Sequence, residues 1–326
     1  MNIRLLKGIG FTLIFAIPAW FLGNQFPIIG GPVFGILLGI IAASFKRPES
    51  VEPGIKFTGK KILQWSIILL GFEMNLYNVF AVGAQSLSVM IFTLLTAFIT
   101  AYIFGKLLNL DGNTTTLIGV GTAICGGSAI AATAPVIGAK EKEVAFSIST
   151  IFLFNILAVF IFPFFGHLFN FTDAGFGMWA GTAINDTSSV VAAGYSYSQA
   201  AGDYATIVKL TRALMIVPIT IILAIFISRK NAKSGNFSIA RVFPWFILWF
   251  VVASIVNTTG FLPGEVSKFL GNTGKFFIIL AMSAIGLNTN IRQLLGNGIR
   301  LIILGLICWI AVAIVSLIVQ YSIGLI

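Results

Sequence analysis

Asp186 stands in the stretch GTAINDTSSVVAAGY, Gly181 to Tyr195, flanked by Asn185, Thr187 and Ser188 and embedded in apolar sequence on both sides. A carboxylate at membrane depth costs about 2.5 to 3.5 kcal/mol on insertion scales, so such a residue is a functional candidate by default. One reading makes it a proton or cation site. The other makes it the N-cap of a half-helix, since Asn-Asp-Thr-Ser is good capping chemistry, and one residue can do both. Sixty residues earlier the chain writes GTAICGGSAIAATAP, Gly121 to Pro135, matching at Thr122/Thr182 and Ser128/Ser188 but carrying Gly126 and Gly127 where the later copy has Asp186 and Thr187. A helix broken at those glycines frees backbone amides and a positive dipole end for an anion, and carbonyls for a cation.

Lys209 and Arg212, in DYATIVKLTRALMIVP, lie three apart and share a helix face. They read as snorkelling side chains, or as a cation pair that faces an anionic substrate or pairs with Asp186. Asn155, Glu73, Asn75 and Asn290 are further polar groups in apolar segments. They are candidates for ion coupling or simply interhelical hydrogen bonding. The substrate-binding candidates are therefore Thr122, Gly126, Gly127, Ser128, Thr182, Asn185, Asp186, Thr187, Ser188, Lys209 and Arg212. No metal site is expected: the single His167 and the two separated cysteines, Cys125 and Cys308, make no ligand set. No nucleophile-base-orienter set, phosphate loop or dinucleotide fingerprint appears in a plausible context, so neither an enzyme nor a cofactor is expected.

The elements that must position these residues follow from composition. With 58% hydrophobic and 9% charged residues, the chain lies far outside the soluble range. It reads as an all-α polytopic membrane protein. About 20 apolar residues per span places segments at 8–23, 29–45, 61–82, 84–108, 117–138, 144–168, 175–195, 204–228, 242–259, 275–291 and 299–322, or about 9 to 11 membrane segments. Short loops leave no room for a soluble domain, so residues 1–326 form one membrane domain. Its repeat halves run approximately 1–138 and 175–326, joined by the span 144–168. The net charge of +10 sits in short loops rather than on one face or tail, which argues for topology signals and against a nucleic-acid partner. Lys46, Arg47, Lys56, Lys60 and Lys61 crowd one loop, and Arg229, Lys230, Lys233 and Arg241 another. The turns near Asn24 and Glu73 have no Lys or Arg, which predicts a cytoplasmic N-terminus and an outside C-terminus.

A second self-similarity pairs residues 58–83 with 273–298, with Thr58/Thr273, Gly59/Gly274, Lys60/Lys275, Gly71/Gly286, Asn75/Asn290 and Gly83/Gly298 coinciding. In this topology the two copies run in opposite directions, an inverted repeat of the kind that secondary transporters use. For segments 117–138 and 175–195, either both cross the membrane or both are re-entrant and meet tip to tip from opposite sides. Re-entry puts Lys140 and Lys142 inside and the Lys/Arg-free stretch 167–173 outside, which suits the positive-inside rule better.

The blocks GVGTAICGGSAIAATAPVI, STIFLFNILAVFIFP, GMWAGTAINDTSSVVAAG and KLTRALMIVP resemble the YeiH-type bacterial inner-membrane proteins, a family labelled as sulfate exporters, over nearly the whole chain. The resemblance implies kinship with the cation:proton antiporter and bile-acid symporter-like transporters. Those folds carry inverted repeats, a panel and a core, and discontinuous helices that cross near the midplane. The expectation is then a secondary transporter for a small anion in the bacterial cytoplasmic membrane, in contact with membrane lipids, with H+ or Na+ as candidate coupling ions. An anion channel is the alternative. A homodimer is expected by analogy.

Overall fold

The computed structural model describes residues 3–26, 30–216, 218–219, 222–223, 245–289 and 298–326. Their regular structure is helical, with no strand among the described residues. The chain runs α1 (Ile3–Gln25), α2 (Gly31–Ala43), α3 (Glu52–Phe57), a π turn over Thr58–Ile62 that leads into α4 (Leu63–Gly71), α5 (Leu76–Leu107), α6 (Gly112–Ala123), α7 (Gly127–Ile137), α8 (Glu141–Leu168), α9 (Asp173–Ala183), α10 (Thr187–Tyr197), α11 (Gln199–Leu214), α12 (Trp245–Thr258), α13 (Gly264–Leu287) and α14 (Ile299–Ser322). Five of these, α1, α5, α8, α13 and α14, are long and apolar enough to cross a membrane unaided. Asn290 and the basic run from Arg229 to Arg241 lie outside the described residues.

The helices sort into two packed groups. In one, α13 lies along α2 and α4, with α1, α3 and α12 around them; in the other, α5 to α11 and α14 pack together. The groups meet chiefly where α10 touches α2 and α13. Within the first group the repeated segments lie side by side and antiparallel. Gly59 faces Ala284 and Ile285, Gly274 lies against Ser66, and Glu73 packs on Gly271 while its carboxylate takes Lys275 at 2.9 Å. The inverted repeat is thus a physical pair with a small residue at its contact, Gly274 against Ser66 and Leu69, and α2 packs on the same helix as closely, where Gly39 and Gly286 face each other.

One boundary differs from the sequence-based expectation. The turn between the third and fourth spans falls at 72–75, not near 83, and α5 begins at Leu76 behind the N-cap Asn75, whose side chain accepts from Tyr77 N at 2.9 Å. Glu73 and Asn75 therefore stand at a helix junction rather than at depth in a span. The apolar run 61–82 hides this turn, because Phe72 and Met74 on either side of Glu73 continue the apolar pattern.

The two broken segments are hairpins. At about 1.5 Å per residue, α6, α7, α9 and α10, with 11 or 12 residues each, reach roughly 17 Å, about half of a 30 Å hydrocarbon layer. The second hairpin closes at its base, where Phe176 near the start of α9 stacks on Tyr197 at the end of α10 (ring centroids 4.0 Å) and Ser198 Oγ donates to Asp173 at 2.5 Å. α11 settles the directions: Gly177 and Gly181 of α9 pack against Tyr204 and Val208 in parallel order, whereas Gly194 of α10 packs against Gly202 at the start of α11. The first hairpin likewise has both ends near the start of α8, since Asn113 of α6 donates to Glu143 at 3.1 Å and α7 runs directly into Lys140 and Glu141. The base of the second hairpin lies at the far end of α8, where Tyr197 OH donates to Phe171 O at 2.5 Å and His167 stacks on Tyr197.

The hairpins thus approach from opposite ends of α8, in the re-entrant arrangement. The crossing half-helices that the family resemblance implies are not formed. The connections explain why: α6–α7 and α9–α10 reverse direction at Cys125–Gly126 and Asn185–Asp186, where Gly126 holds φ +67° and Ile184 and Asp186 are extended. A broken helix that crossed would continue along its axis instead.

Candidate functional site

The two tips meet beside the middle of α8. Asn155, fourteen residues from the first residue of that helix and thirteen from its last, accepts from Asp186 N at 3.2 Å. Its Nδ2 lies 3.6 Å from the position a Cβ would take on Gly126, and Asn185 O lies 3.7 Å from the same point. The tips therefore touch, with Asn155 between them.

Each tip leaves one helix end of each polarity. The C-terminal ends of α6 and α9 present carbonyls that have no partner within their own helices. In hydrocarbon an unpaired carbonyl costs several kcal/mol. α11 supplies the partners. Its N-cap Ser198 accepts from Ala201 N at 3.0 Å, and the helix starts with Gln199 at the base of the second hairpin, five residues before the segment 204–228 that the sequence predicts. Ten and thirteen residues beyond Gln199, about 15 to 20 Å along the axis, stand Lys209 and Arg212. Both are fully buried. Lys209 Nζ donates to Ile124 O at 2.8 Å and Ile184 O at 2.9 Å, one from each tip. Arg212 donates from Nε to Ala123 O at 2.6 Å, from one terminal nitrogen to Thr122 O at 2.5 Å and from the other to Thr182 O. Two cations thus hold two negative helix ends together. The snorkelling reading fails because neither side chain reaches the surface, and neither cation is committed to Asp186.

The N-terminal ends are treated differently. At α10, Asp186 is the cap: its carboxylate accepts from Ser188 N at 3.0 Å and Ser189 N at 3.3 Å, and also from Ser188 Oγ. At α7 the N-cap is Gly126, which has no side chain to offer; the Cys125 thiol takes the Ala129 amide, while Gly127 is half-buried and Ser128 is exposed. The junction therefore holds two formal positive charges, one negative charge and one open positive helix end.

The remaining candidates divide. Thr182 Oγ1 donates to Met178 O at 2.7 Å and pairs with Ser316 Oγ of α14 at 2.7 Å, so its hydroxyl joins helices behind the tip. Thr122 Oγ1 and both polar atoms of the Asn185 side chain are buried without a hydrogen-bond partner. Thr187 opens α10 and is half-buried. Glu73 and Asn75 are not with the tips: Gly83 meets Thr211 at tip depth, and Asn75 lies eight residues, about 12 Å, before it on α5. Sequence reasoning missed Ser316, which carries no motif, and missed that the partners of Lys209 and Arg212 are backbone carbonyls. The available signal was the coincidence of two broken helices with two cations on the next helix face.

Gly126 is the one tip position where the backbone requires glycine, with φ +67° and ψ −126°. A Cβ there has room, with no neighbour nearer than 3.4 Å, so Gly126→Ala is expected to cost conformational strain alone, about 1 to 3 kcal/mol. Thermal unfolding of the purified variant checks this; an unchanged midpoint would mean that the tip has another conformation.

Comparison with known proteins places the chain among membrane proteins. The family described as Conserved hypothetical protein 698 matches residues 7–305. A UPF0324 membrane protein of Streptococcus pyogenes serotype M18 is 50% identical over 335 residues, covering 99% of both chains. Another from Fusobacterium nucleatum is 46% identical, covering 98% of this chain and 99% of the relative, and one from Streptococcus mutans is 47% identical over 100% and 99%.

Proposed function

We propose that this chain, which belongs to the Conserved hypothetical protein 698 family of membrane proteins, is a secondary transporter that carries a small anion between the two hairpin tips. The observation that carries the reading is the meeting of two oppositely inserted hairpins at the middle of α8, with their inner carbonyls held by Lys209 and Arg212. Irregular backbone at membrane depth is tolerated where it lines a cavity or is buried in protein, and half-helix ends at the midplane are where transporters place substrate and coupling ions. The excess formal positive charge at the junction and the open N-terminus of α7 favour an anion. Asp186 and Asn155 are the candidate coupling pair for H+ or Na+.

In the proposed orientation the base of the first hairpin, beside Lys140 and Lys142, faces the cytoplasm, and the Lys/Arg-free stretch 167–173 faces outside. The N-terminus is then inside and the C-terminus outside in a bacterial cytoplasmic membrane. The thin boundary between the two helix groups, at α10 against α2 and α13, is where one group would move against the other for alternating access.

Counterflow in proteoliposomes tests the proposal. Saturable uptake of labelled anion against an internal unlabelled pool is expected, and Asp186→Asn is expected to abolish its dependence on pH or sodium. Conductance without exchange would make the protein a channel. Unchanged pH and sodium dependence in Asp186→Asn would remove that residue from coupling.

A further inference from the structure

The two tips are chemically unequal, and the inequality constrains the ligand that bridges them. The first tip is a donor. α7 has Gly126 as its N-cap, which offers no side chain, and the Ala129 amide lies on the Cys125 thiol, so the amides of Gly127 and Ser128 stay available beside the exposed Ser128 side chain. The second tip is an acceptor. The corresponding amides of α10 are taken by Asp186, whose carboxylate stands where an anion would otherwise sit. Beside it Asn185 is 1% exposed, and neither its Oδ1 nor its Nδ2 has a protein partner. Lys209 and Arg212 contribute charge, but the donors described above are already spent on carbonyls. The two tips are in contact, with Asn185 O 3.7 Å from the Cβ position of Gly126, so a ligand that reaches one tip reaches the other.

A fully deprotonated tetrahedral oxyanion fits this poorly. It offers only acceptors, so it would meet Asp186 with like charge and leave Asn185 Oδ1 unpaired, and an unpaired buried acceptor carries the full desolvation penalty. A molecule with an acidic group at one end and a hydroxyl or ammonium a few bonds away satisfies both tips at once.

On the footing of the transporter reading, we propose that the ligand is a small organic acid that carries its own hydrogen-bond donor: the acid lies on the Gly127 and Ser128 amides of α7, and the donor lies on Asn185 and Asp186.

Matched pairs of anions test this on the unmodified protein: isethionate against ethanesulfonate, and lactate against propionate, with sulfate as a fifth probe. Each pair differs by one hydroxyl. Counterflow is expected to half-saturate at a concentration at least about tenfold lower for the hydroxylated member of at least one pair, because a site built to bond a hydroxyl rejects the analogue without it. Asn185→Ala, checked for folding by size-exclusion chromatography and thermal unfolding, is expected to shrink that preference to about threefold or less. Equal half-saturation within both pairs, a preference for sulfate over all four, or a preference that survives Asn185→Ala would overturn the proposal while leaving transport intact. If none of the five probes exchanged, the transport reading would fall, and the proposal with it.

Discussion

Arg212→Ala is expected to destabilise the protein by about 4 kcal/mol or more, a larger effect than at any other position of the junction. The guanidinium donates to three carbonyls from two different hairpins, Thr122, Ala123 and Thr182, and is itself fully buried. Removing it leaves three acceptors without partners in a low-dielectric interior, each worth about 1 to 3 kcal/mol, although the three do not simply add. Two negative helix ends are also left facing each other without their counter-charge. Arg212→Lys is expected to recover only part of the loss, because one ammonium cannot reproduce the planar fork that spans Thr122 and Thr182. Lys209→Met is expected to be milder, since two carbonyls rather than three lose a donor.

Unfolding in detergent, followed by fluorescence, together with the monodisperse yield of each variant, measures these differences. A variant Arg212→Ala that folds with unchanged stability but has lost anion affinity would reverse the assignment. It would make the arginine a ligand-binding residue rather than a tie between hairpins.

Much of this architecture is legible in the amino-acid sequence. The antiparallel pairing of the π turn and α4 with α13 is visible there because the matches of 58–83 with 273–298 include Thr, Gly, Lys and Asn, which apolar drift alone does not favour. The hairpin topology is visible in the placement of Lys140 and Lys142 against the Lys/Arg-free stretch 167–173. Asp186 is the cap that its neighbours suggest. What stays hidden has physical causes. Lys209 and Arg212 bind backbone carbonyls, and a carbonyl has no letter in the sequence; only the logic of broken helices points to it. The turn at 72–75 is hidden because the residues around Glu73 are as apolar as the helices it joins, so Glu73 and Asn75 look deeper than they are. Family likeness misleads in one respect: it implies crossing half-helices, whereas the stacked bases at Phe176–Tyr197 and the Asn113–Glu143 contact require each segment to return to the end it came from.

That difference sets the second large prediction, which is all-or-none. In the hairpin fold, Lys140 and Ser198 lie at opposite ends of α8, because each follows a segment that turned back. If the broken segments crossed, each would carry the chain to the far side. α8 would then return it, and Lys140 and Ser198 would share one face of the membrane. Charge placement alone gives only a bias toward one of these topologies. The native cysteines, Cys125 and Cys308, are both buried and can be replaced to give a silent background for single-cysteine labelling.

The decisive measurement is therefore the reaction of Lys140→Cys and Ser198→Cys, each in a cysteine-free protein in sealed vesicles of known orientation, with a membrane-impermeant maleimide added from one side at a time. The two positions are predicted to label from opposite sides, Ser198→Cys from outside and Lys140→Cys from the cytoplasmic side. Labelling of both from the same side would contradict the meeting of two opposed hairpins on which the proposed transport site depends.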